Sequence, residues 1–455
     1  MDLDHTRAVR IPGAYEELKA PAVGGVPAQR LPEVSETVSE MLATIERDGL
    51  SAVLDYSRRL DGWGGGPIEL TRHALAHSGD GLDADLRASL EAGADRTRRF
   101  AELQRRGLSG GETEILPGVV AGYHYVPVAS VGAYLPAGRF PILASAFMTV
   151  GVAKTAGVPT VTACTPPVSP ERGNAAVLYA AHLAGVDRAF VIGGVQALAA
   201  MAFGLLDGQP VDMLVGAGNA YVTEAKRQLF GVVGIDLLAG PSEVAVLADD
   251  TADAEMVAAD LLAQAEHGPQ SPAALVTTSR SLAEGVIEEV ERQLRGLATR
   301  EIAGAAWRDY GRVLWVEDAQ TAAAVMDILA PEHLEVITQD DEWYLHNLSN
   351  YGSLFLGPWS TVAYSDKGIT GTNHVLPTGG VARSSAGLSV ARFLRPLTYQ
   401  RVVREATPHL APHVERISAF EGMAAHGASA ALRSRRFAHH AAQSVPSPAT
   451  NQEAS

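Results

Sequence analysis

Ala129-Ser-Val-Gly-Ala-Tyr134 is the first of four short apolar runs between Val126 and Leu247, and this series decides the fold. Most of the runs are followed within a few residues by glycine or proline, and then by an alanine-rich helical stretch. Repeated strand–helix units of this kind predict a parallel sheet with helices on its faces. The remaining runs of the series are Thr160-Val-Thr-Ala163, Ala189-Phe-Val-Ile192 and Val211-Asp-Met-Leu-Val215.

A second series of apolar runs follows the first and has the same character. The chain is 455 residues long, so more than one core-forming unit is expected. We therefore predict two α/β domains. The runs of the second series are Val244-Ala-Val-Leu247, Ala274-Leu-Val-Thr277, Arg312-Val-Leu-Trp-Val316 and Leu334-Glu-Val-Ile337.

Helical patterns flank the two α/β regions. Apolar residues spaced for one helix face predict helices over residues 34–106. Beyond Gly387 the helical pattern returns, and we predict helices over residues 398–410 and 414–433. The tail from His439 is rich in alanine, serine and proline, which predicts disorder.

The composition excludes several classes of protein. The net charge is −16 and no lysine- or arginine-rich run occurs, so a nucleic-acid partner is not expected. Cys164 is the single cysteine, which excludes an internal disulfide and a cysteine-based zinc finger. Residues 1–5 lack a signal-peptide pattern and no apolar stretch has the length of a membrane helix, so we expect a cytoplasmic protein without a membrane partner.

Gln264 and His267 stand three residues apart near the end of a helical pattern, in Leu261-Leu-Ala-Gln-Ala-Glu-His-Gly-Pro269. Residues with this spacing share one helix face, and the Gly-Pro pair ends the helix. One oxygen donor and one nitrogen donor can seat a divalent metal ion or bind a polar substrate. On spacing alone, a solvated helix end is the alternative.

Three glycine-bearing loops follow strands of the first series: Tyr134-Leu-Pro-Ala-Gly138, Gly193-Gly-Val-Gln196 and Gly216-Ala-Gly-Asn219. Glycine lets backbone N–H groups approach a phosphate at a helix start. None completes G-x-G-x-x-G, because Tyr221 stands where the last of these would put its third glycine. The loops indicate a dinucleotide site, with plain strand–helix turns as the alternative.

Further polar segments could supply proton-transfer groups or ligands. Pro331-Glu-His-Leu-Glu335 places a carboxylate beside an imidazole, which could give one cleft two proton acceptors, or could be a solvated element end. Asp366 and the loop Gly371-Thr-Asn-His-Val-Leu-Pro377 carry potential ligands, with turn chemistry as the alternative. Phe420-Glu-Gly-Met-Ala-Ala-His426 adds a lone histidine, a residue type that is more often structural.

Taken together, these segments resemble the histidinol dehydrogenase family from about Val34 to Arg433. The motifs that carry the resemblance are Gly216-Ala-Gly-Asn-Ala-Tyr-Val222, Ala225-Lys-Arg-Gln228, Gly234-Ile-Asp236, Ala239-Gly-Pro-Ser-Glu243, Gln264-Ala-Glu-His-Gly268, Ala330-Pro-Glu-His-Leu334 and Gly371-Thr-Asn-His-Val-Leu-Pro-Thr378.

The resemblance implies a Zn²⁺ ion in each subunit and NAD⁺ as the oxidant. It assigns the metal to Gln264, His267, Asp366 and His426, with His426 contributed by the partner subunit of an intertwined homodimer. It makes Glu332 and His333 the catalytic acid–base pair. It implies NAD contacts at Tyr134, Gln196 and Asn219, and substrate contacts at Ser242, Gln264, His267, His333, Asp366, His374, Glu421 and His426.

The reaction implied is the oxidation of a primary alcohol through the aldehyde to the carboxylate, with two NAD⁺ reduced per turnover. In that scheme His333 removes the alcohol proton and Glu332 activates the water that hydrates the aldehyde. L-Histidinol, in histidine biosynthesis, is the substrate we expect. A metal-dependent hydrolase using Glu332 as base, and a binding protein without catalysis, are the alternatives from other classes.

The loop after Tyr134 departs from the histidinol enzymes. It carries Arg139, and Ala144 stands where a substrate-contacting serine is expected. Arg139-Phe-Pro, Trp307-Arg-Asp-Tyr-Gly311 and Leu397-Thr-Tyr-Gln400 resemble instead the sulfopropanediol dehydrogenase branch of the family. Arg139 could contact the sulfonate of 2,3-dihydroxypropane-1-sulfonate, so this diol is the alternative substrate.

The expected fold is an α/β homodimer with two Rossmann-like parallel-sheet domains and a small helical tail domain. The first α/β domain is predicted to combine residues 27–111 with 244–386 and to carry most catalytic and metal residues. Residues 112–243 are predicted to form the NAD-binding domain. The expected helical dimerisation region comprises residues 1–26 and 387–438, and the disordered tail residues 439–455.

Overall fold

The computed structural model describes residues 11–23, 32–138 and 140–443. Arg139, a predicted substrate contact, and residues 444–455 of the predicted tail lie outside the described residues. The chain divides into two compact units: residues 1–106 with 127–393, and residues 107–126 with 394–455.

The strands lie between Tyr15 and Val402. They are β1 (Tyr15–Lys19), β2 (Gly111–Leu116), β3 (Val119–Pro127), β4 (Ser130–Tyr134), β5 (Thr160–Thr165), β6 (Pro167–Ser169), β7 (Arg172–Gly173), β8 (Arg188–Val191), β9 (Met213–Val215), β10 (Gly234–Ile235), β11 (Val244–Ala248), β12 (Ala273–Thr277), β13 (Arg312–Val316), β14 (His333–Ile337), β15 (Ser353–Leu356) and β16 (Leu394–Val402).

The α-helices are numbered in the same way. They are α1 (Pro32–Asp48), α2 (Leu50–Asp61), α3 (Arg72–Ala76), α4 (Ala84–Arg106), α5 (Ala144–Ala146), α6 (Val152–Ala156), α7 (Ala175–Leu183), α8 (Gly194–Ala202), α9 (Ala220–Leu229), α10 (Ala254–Ala265), α11 (Arg280–Leu294), α12 (Arg300–Tyr310), α13 (Ala319–Leu329), α14 (Asp341–Asn347), α15 (Val362–Asp366), α16 (Thr407–Glu421) and α17 (Ala424–Gln443). A π-helical turn, Phe147–Gly151, joins α5 to α6, and 3₁₀ turns occupy Val381–Arg383, Val390–Phe393 and Arg404–Ala406.

The first unit contains two main sheets, and both series of predicted strands are confirmed. One sheet has the order β10-β9-β4-β5-β8, with every neighbouring pair parallel. The other has the order β1-β13-β12-β11-β14-β15, and only the edge strand β1 runs antiparallel to its neighbour. Strands β11 and β14 are buried along their whole length, as expected where helices cover both faces of a parallel sheet.

The predicted helices over residues 34–106 are confirmed, but they do not pack where we expected. Residues Val38 and Ile45 of α1 share one apolar core with Phe190 and Leu198, which belong to the five-stranded sheet and its helix α8. The apolar face of α1 is buried against α8 and α9. These three helices share a hydrophobic core that does not include the six-stranded sheet. The packing of α1 thus differs from the predicted grouping of residues 27–111 with residues 244–386.

The expected helical region at residues 1–26 was also wrong in part. Residues Tyr15–Lys19 form β1, which pairs with β13 and extends the six-stranded sheet. The core beneath β1 includes Ile11, so the segment is integrated into the sheet's own hydrophobic cluster.

The second unit is built from a three-stranded sheet, in the order β16-β3-β2, and helices α16 and α17, which pack against each other. The predicted helix over residues 398–410 was wrong at its start, because Leu394–Val402 is strand β16. The predicted helix over residues 414–433 is interrupted at Gly422, whose φ of 74° ends α16. Helix α17 continues to Gln443, so the predicted disorder does not begin at His439.

None of the helices in the described ranges combines the length and apolar character needed to cross a membrane.

Candidate active site

Three elements of the six-stranded sheet region bring the predicted catalytic and metal residues together. Gln264 lies in the last turn of α10, and His267 follows just after that helix ends. His333 is the first residue of β14, and Asp366 is the last residue of α15. Strands β14 and β11 are parallel, and their first residues pair with each other. The residues that precede the two strands therefore lie side by side, at the end of the sheet where both strands begin.

His333 is fully buried, and its tautomer is fixed by a backbone group. Its Nδ1 atom lies 3.0 Å from the carbonyl oxygen of Glu243, which can only accept a hydrogen bond. Nδ1 therefore carries the proton, and Nε2 has the free lone pair. Nε2 is buried without a hydrogen-bond partner among the described residues, and lies 3.8 Å from Asp366 Oδ1. Burial lowers the pKa of His333, so the neutral base is favoured.

Glu332 is buried beside His333. Its Oε2 atom accepts hydrogen bonds from Ser242 Oγ at 2.8 Å and from the backbone N–H of Glu243 at 2.9 Å. The same oxygen lies 3.5 Å from Nδ1 of His333. Burial raises the pKa of Glu332 well above its usual value, against the two hydrogen bonds that lower it. A carboxyl group with a raised pKa takes up a proton more readily than an exposed one.

Asp366 links the two histidines of the cluster. Its Oδ2 atom lies 3.2 Å from Nε2 of His267. Burial alone would raise the pKa of Asp366, but the hydrogen bond from His267 and the nearby imidazoles of His333 and His374 hold it below its usual value. The carboxylate is therefore ionised, which is the state required of a metal ligand.

Gln264 is buried, and its Nε2 atom donates to Ser242 Oγ. That bond leaves the amide oxygen of Gln264 available as a ligand next to His267 and Asp366. Oxygen and nitrogen donors without a thiolate suit Zn²⁺, so the residues present fit the metal implied by the sequence. Within the described ranges no three His, Cys, Asp or Glu side chains form a metal-binding group.

His374 lies on the other side of Asp366. Its Nδ1 atom is 3.2 Å from the backbone oxygen of Asp366, and its Nε2 atom is 3.0 Å from Ser145 Oγ. The carbonyl fixes the Nδ1 proton here too, so Ser145 donates its hydroxyl proton to Nε2. Asn373 Nδ2 donates to the backbone oxygen of Met148 at 2.9 Å. The π-helical turn is thus joined to the loop that carries His374, and π-helical turns are frequent at functional sites.

The predicted cofactor residues lie at the carboxyl ends of the five-stranded sheet. Tyr134 ends β4, and its hydroxyl oxygen accepts from the backbone N–H of Gly194, at the start of α8, at 3.2 Å. Burial raises the pKa of Tyr134 to about 12, so its hydroxyl keeps a proton to donate. Gln196 is buried, its Nε2 atom donates to Asp61 at 2.8 Å, and its Oε1 atom has no partner among the described residues. An unpaired buried amide oxygen fits a site that a ligand completes.

The third predicted cofactor residue, Asn219, caps helix α9 through its side-chain oxygen, which accepts from the N–H groups of Tyr221 and Val222. Gly216 opens this loop with a φ of 112°, and a methyl group there would lie 2.2 Å from the carbonyl oxygen of Tyr134. Only glycine therefore allows the two loops to approach this closely.

A buried ion pair fixes the same loop. Lys226 pairs with Asp236, and Nζ of the lysine donates to the carbonyl oxygen of Gly216 at 2.9 Å. Asp236 Oδ2 accepts from the N–H of Gly216 at 2.7 Å. Both residues belong to motifs that carried the family resemblance, yet no pattern in those motifs indicated their pairing.

Two predicted site residues belong to the second unit. Glu421 is the last residue of α16 and His426 lies in the first turn of α17, and both are exposed. They stand on two helices separated by Gly422, not on one helix as expected. The cluster of the first unit therefore comprises Gln264, His267, Glu332, His333, Asp366, His374 and Ser242.

Sequence reasoning missed Glu243 and Asp61 as parts of the site. Glu243 lies in the motif Ala239-Gly-Pro-Ser-Glu243, and its carbonyl group orients His333. Its side chain accepts from the N–H of Glu332 at 3.3 Å and from that of Gly379 at 2.8 Å. Asp61 lies 135 residues before its partner Gln196, and no motif marked it.

Comparison with known proteins gives the family. A sequence model described as histidinol dehydrogenase matches residues 26–434. The chain belongs to the histidinol dehydrogenase family. Membership makes it an enzyme of an NAD-dependent dehydrogenase family, so the metal-dependent hydrolase and the binding protein without catalysis are not retained.

Two curated relatives with different names are similar over most of the chain. A sulfopropanediol 3-dehydrogenase of Ruegeria pomeroyi is 46% identical over 89% of this chain and 93% of its own length. A histidinol dehydrogenase of Cereibacter sphaeroides is 40% identical over 91% of this chain and 95% of its own length. The crystal structure of histidinol dehydrogenase from Elizabethkingia anophelis matches with a TM-score of 0.85 and 31% identity, over 90% of this chain and 94% of that one. The mixed α/β fold with parallel sheets is thus that of the family.

Proposed function

We propose that this enzyme oxidises a small polar primary alcohol through the aldehyde to the carboxylate, with two NAD⁺ reduced per turnover. The observation that carries the proposal is the state of His333, whose proton is fixed on Nδ1 by the Glu243 carbonyl and whose buried Nε2 has no partner among the described residues. A buried imidazole with a free lone pair is suited to take the proton of an alcohol hydroxyl.

In the first oxidation, His333 Nε2 removes the hydroxyl proton while the carbon loses a hydride. Bound NAD⁺ supplies the acceptor for that hydride. Asp366, close to Nε2, stabilises the imidazolium that forms. The alcohol becomes the aldehyde, and one proton and one hydride leave the substrate.

In the second oxidation, Glu332 takes a proton from water, whose oxygen adds to the aldehyde carbon. The imidazolium of His333 returns its proton to the aldehyde oxygen, which gives the hydrate and leaves His333 neutral. Ser242 and the N–H of Glu243 orient the carboxylate of Glu332 for this step. His333 then takes a hydroxyl proton of the hydrate as a second hydride leaves, and the product is the carboxylate. The burial that raises the pKa of Glu332 favours proton uptake by this carboxylate.

Zinc would be bound by Gln264, His267 and Asp366 of one subunit and by His426 of the partner subunit in a homodimer. Its contribution when bound would be to orient the substrate hydroxyl and increase its acidity. The short distance between His267 and Asp366 supports this assignment. We expect chelation to abolish NADH formation and added Zn²⁺ to restore it.

Two alcohols are candidate substrates. L-Histidinol was expected from the sequence and is supported by the 40% identical histidinol dehydrogenase. The sulfonated diol is favoured by the 46% identical sulfopropanediol 3-dehydrogenase and by Ala144, which is buried and offers no hydroxyl group. The cytoplasmic location stays a prediction.

The test is NADH formation by the purified enzyme with each alcohol separately, followed at 340 nm, with the carboxylate product identified by mass spectrometry. Two NADH per carboxylate formed from either alcohol supports the proposed reaction. Turnover of the sulfonate without turnover of histidinol rejects histidinol as the substrate. No NADH from either alcohol, or from other small polar primary alcohols, contradicts the proposed function.

A further inference from the structure

The topology of the five-stranded sheet shows where a dinucleotide would lie. The chain runs from β4 to β5 and β8 on one side, then returns to β9 and β10 on the other side of β4. This is the order 3-2-1-4-5 of the first five strands of a Rossmann fold, whose ligands bind outside the carboxyl ends of the strands where the order reverses. In such folds a carboxylate near the end of the second strand binds the adenosine ribose, and it discriminates against a phosphate on that ribose.

The second strand here, β5, has no acidic residue at its end. It stops at Thr165 and is followed by Pro166-Pro-Val168. A carboxylate reaches this place from another segment, since Asp61 is the last residue of α2. A methyl group added at Gly193 would lie 2.8 Å from Pro166 Cβ and 2.9 Å from Asp61 Oδ1, so the ends of β5 and β8 and this carboxylate meet at one point.

The two oxygens of Asp61 are in different states. Oδ2 accepts from the N–H of Gly193 at 3.1 Å, from Gln196 Nε2 at 2.8 Å and from Ser57 Oγ at 3.4 Å. Oδ1 accepts no hydrogen bond from the described part of the chain. One oxygen is therefore anchored at the start of α8, and the other remains open to a hydroxyl group of a ligand, beside the unpaired Oε1 of Gln196.

The charge of Asp61 acts against a phosphate at the same point. The start of a helix ordinarily attracts an anion, but here the carboxylate already occupies that position on α8. The two arginines in the last turn of α2 each lie near Asp55, with Arg59 Nε 2.8 Å and Arg58 3.7 Å from its carboxylate. A second anion is therefore disfavoured next to this carboxylate.

We propose that Asp61 binds the hydroxyl groups of the adenosine ribose and makes the enzyme select NAD(H) over NADP(H). The inference rests on the proposed dehydrogenase function and adds a specificity-determining residue to it. Gln196 and Asp61 act together, since the amide of Gln196 is held by Oδ2 and its oxygen faces the ligand unpaired.

The test compares the binding of NADH and NADPH to the wild-type enzyme, Asp61→Asn and the control Asp48→Asn, by titrating nucleotide fluorescence. Asp48 is an exposed carboxylate at the end of α1. We expect the wild type and Asp48→Asn to bind NADH at least ~10²-fold more tightly than NADPH, and Asp61→Asn to reduce that ratio at least ~10-fold. An unchanged ratio in Asp61→Asn, or wild-type binding of NADPH as tight as that of NADH, overturns the proposal.

A measurement on the wild type alone covers the case in which Asp61→Asn does not fold. Adenosine 5′-monophosphate and adenosine 2′,5′-bisphosphate are each titrated against bound NADH. Displacement by the monophosphate at concentrations at least ~10-fold lower supports the role of Asp61, and equal displacement refutes it. If the wild type binds neither NADH nor NADPH, the dehydrogenase proposal fails as well, which separates the two failures.

Discussion

At the scale of single residues, the site depends on which imidazole nitrogen carries a proton. The carbonyl oxygen of Glu243 leaves His333 Nε2 as a base in a buried place. Replacement by asparagine preserves a donor for the carbonyl and removes the base, so we expect His333→Asn to lower kcat at least ~10²-fold. Steady-state kinetics test this, and NADH titration tests whether the cofactor still binds. His346→Asn, at an exposed position, is the control. A nearly unchanged kcat in His333→Asn would contradict the role of His333.

Glu243 itself gives the enzyme a pH-dependent stability. Burial raises the pKa of its carboxyl group from 4.5 to about 7, against the N–H groups of Gly379 and Glu332, which lower it. Between these two pH values the unfolded chain has released the proton and the folded chain retains it, so a rise in pH lowers the stability of the folded state. Glu243→Gln keeps the acceptor oxygen and removes the titration.

Unfolding by urea at pH 5, 6, 7 and 8 measures this effect. The stability of Glu243→Gln relative to the wild type is expected to increase with pH, by up to about 3 kcal/mol across the window. Glu288→Gln, at an exposed position of α11, should show no such trend. A difference between Glu243→Gln and the wild type that stays constant with pH would contradict the assignment.

At the scale of elements, a pair of buried carboxyl groups joins the three segments that carry the site. Glu335, on β14, accepts from the N–H of Val362 at 2.7 Å, at the start of α15. The carboxyl group of Glu335 also interacts with that of Asp260 on α10, which accepts from Thr361 Oγ1 at 2.8 Å. Two carboxyl groups can bond to each other only if one is protonated. Burial and their mutual repulsion raise the pKa of Glu335, and burial raises that of Asp260.

Loss of this pair should therefore loosen the proposed metal ligands without touching them. We expect Glu335→Ala to lower the free energy of unfolding by about 3 kcal/mol, because it leaves buried polar groups unpaired. Zinc affinity should fall roughly 10–100-fold, the effect usual for groups that support metal ligands. Chelator competition and urea unfolding measure both. Glu335→Gln can accept from Val362 and donate to Asp260, so it should retain most of the stability and most of the zinc affinity. Equal losses in Glu335→Ala and Glu335→Gln would refute a bond between Glu335 and Asp260.

The sequence predicted the elements better than their partners. The eight apolar runs became strands because each is short, β-branched and buried on both sides of a parallel sheet, as in β11. Strand β16 was mistaken for a helix because Leu394–Val402 is exposed along most of its length and shows no apolar alternation. The i,i+3 spacing placed Gln264 beside His267, but no spacing could bring Asp61 to Gln196, 135 residues away. Contacts between distant segments follow from packing, which local patterns do not encode.

At the scale of the whole molecule, the proposal that each active site is shared between two subunits can be tested directly. If His426 of the partner subunit completes each site, a heterodimer of His333→Asn and His426→Ala contains one site with both defects and one site with none. Sites built within a single subunit would instead leave one defect in each site of the heterodimer. The two arrangements therefore differ in activity even though the subunits are the same.

The two variants can be co-expressed with different affinity tags and the heterodimer isolated by two successive purifications. We expect about half of the wild-type kcat per dimer from one intact site in two, while each variant alone is nearly inactive. A mixture of the separately purified homodimers, without exchange of subunits, provides the control. Its activity should be no higher than that of either variant alone. Since His426 is exposed in the single chain, it is free to serve a second copy, and an inactive heterodimer would show that it does not.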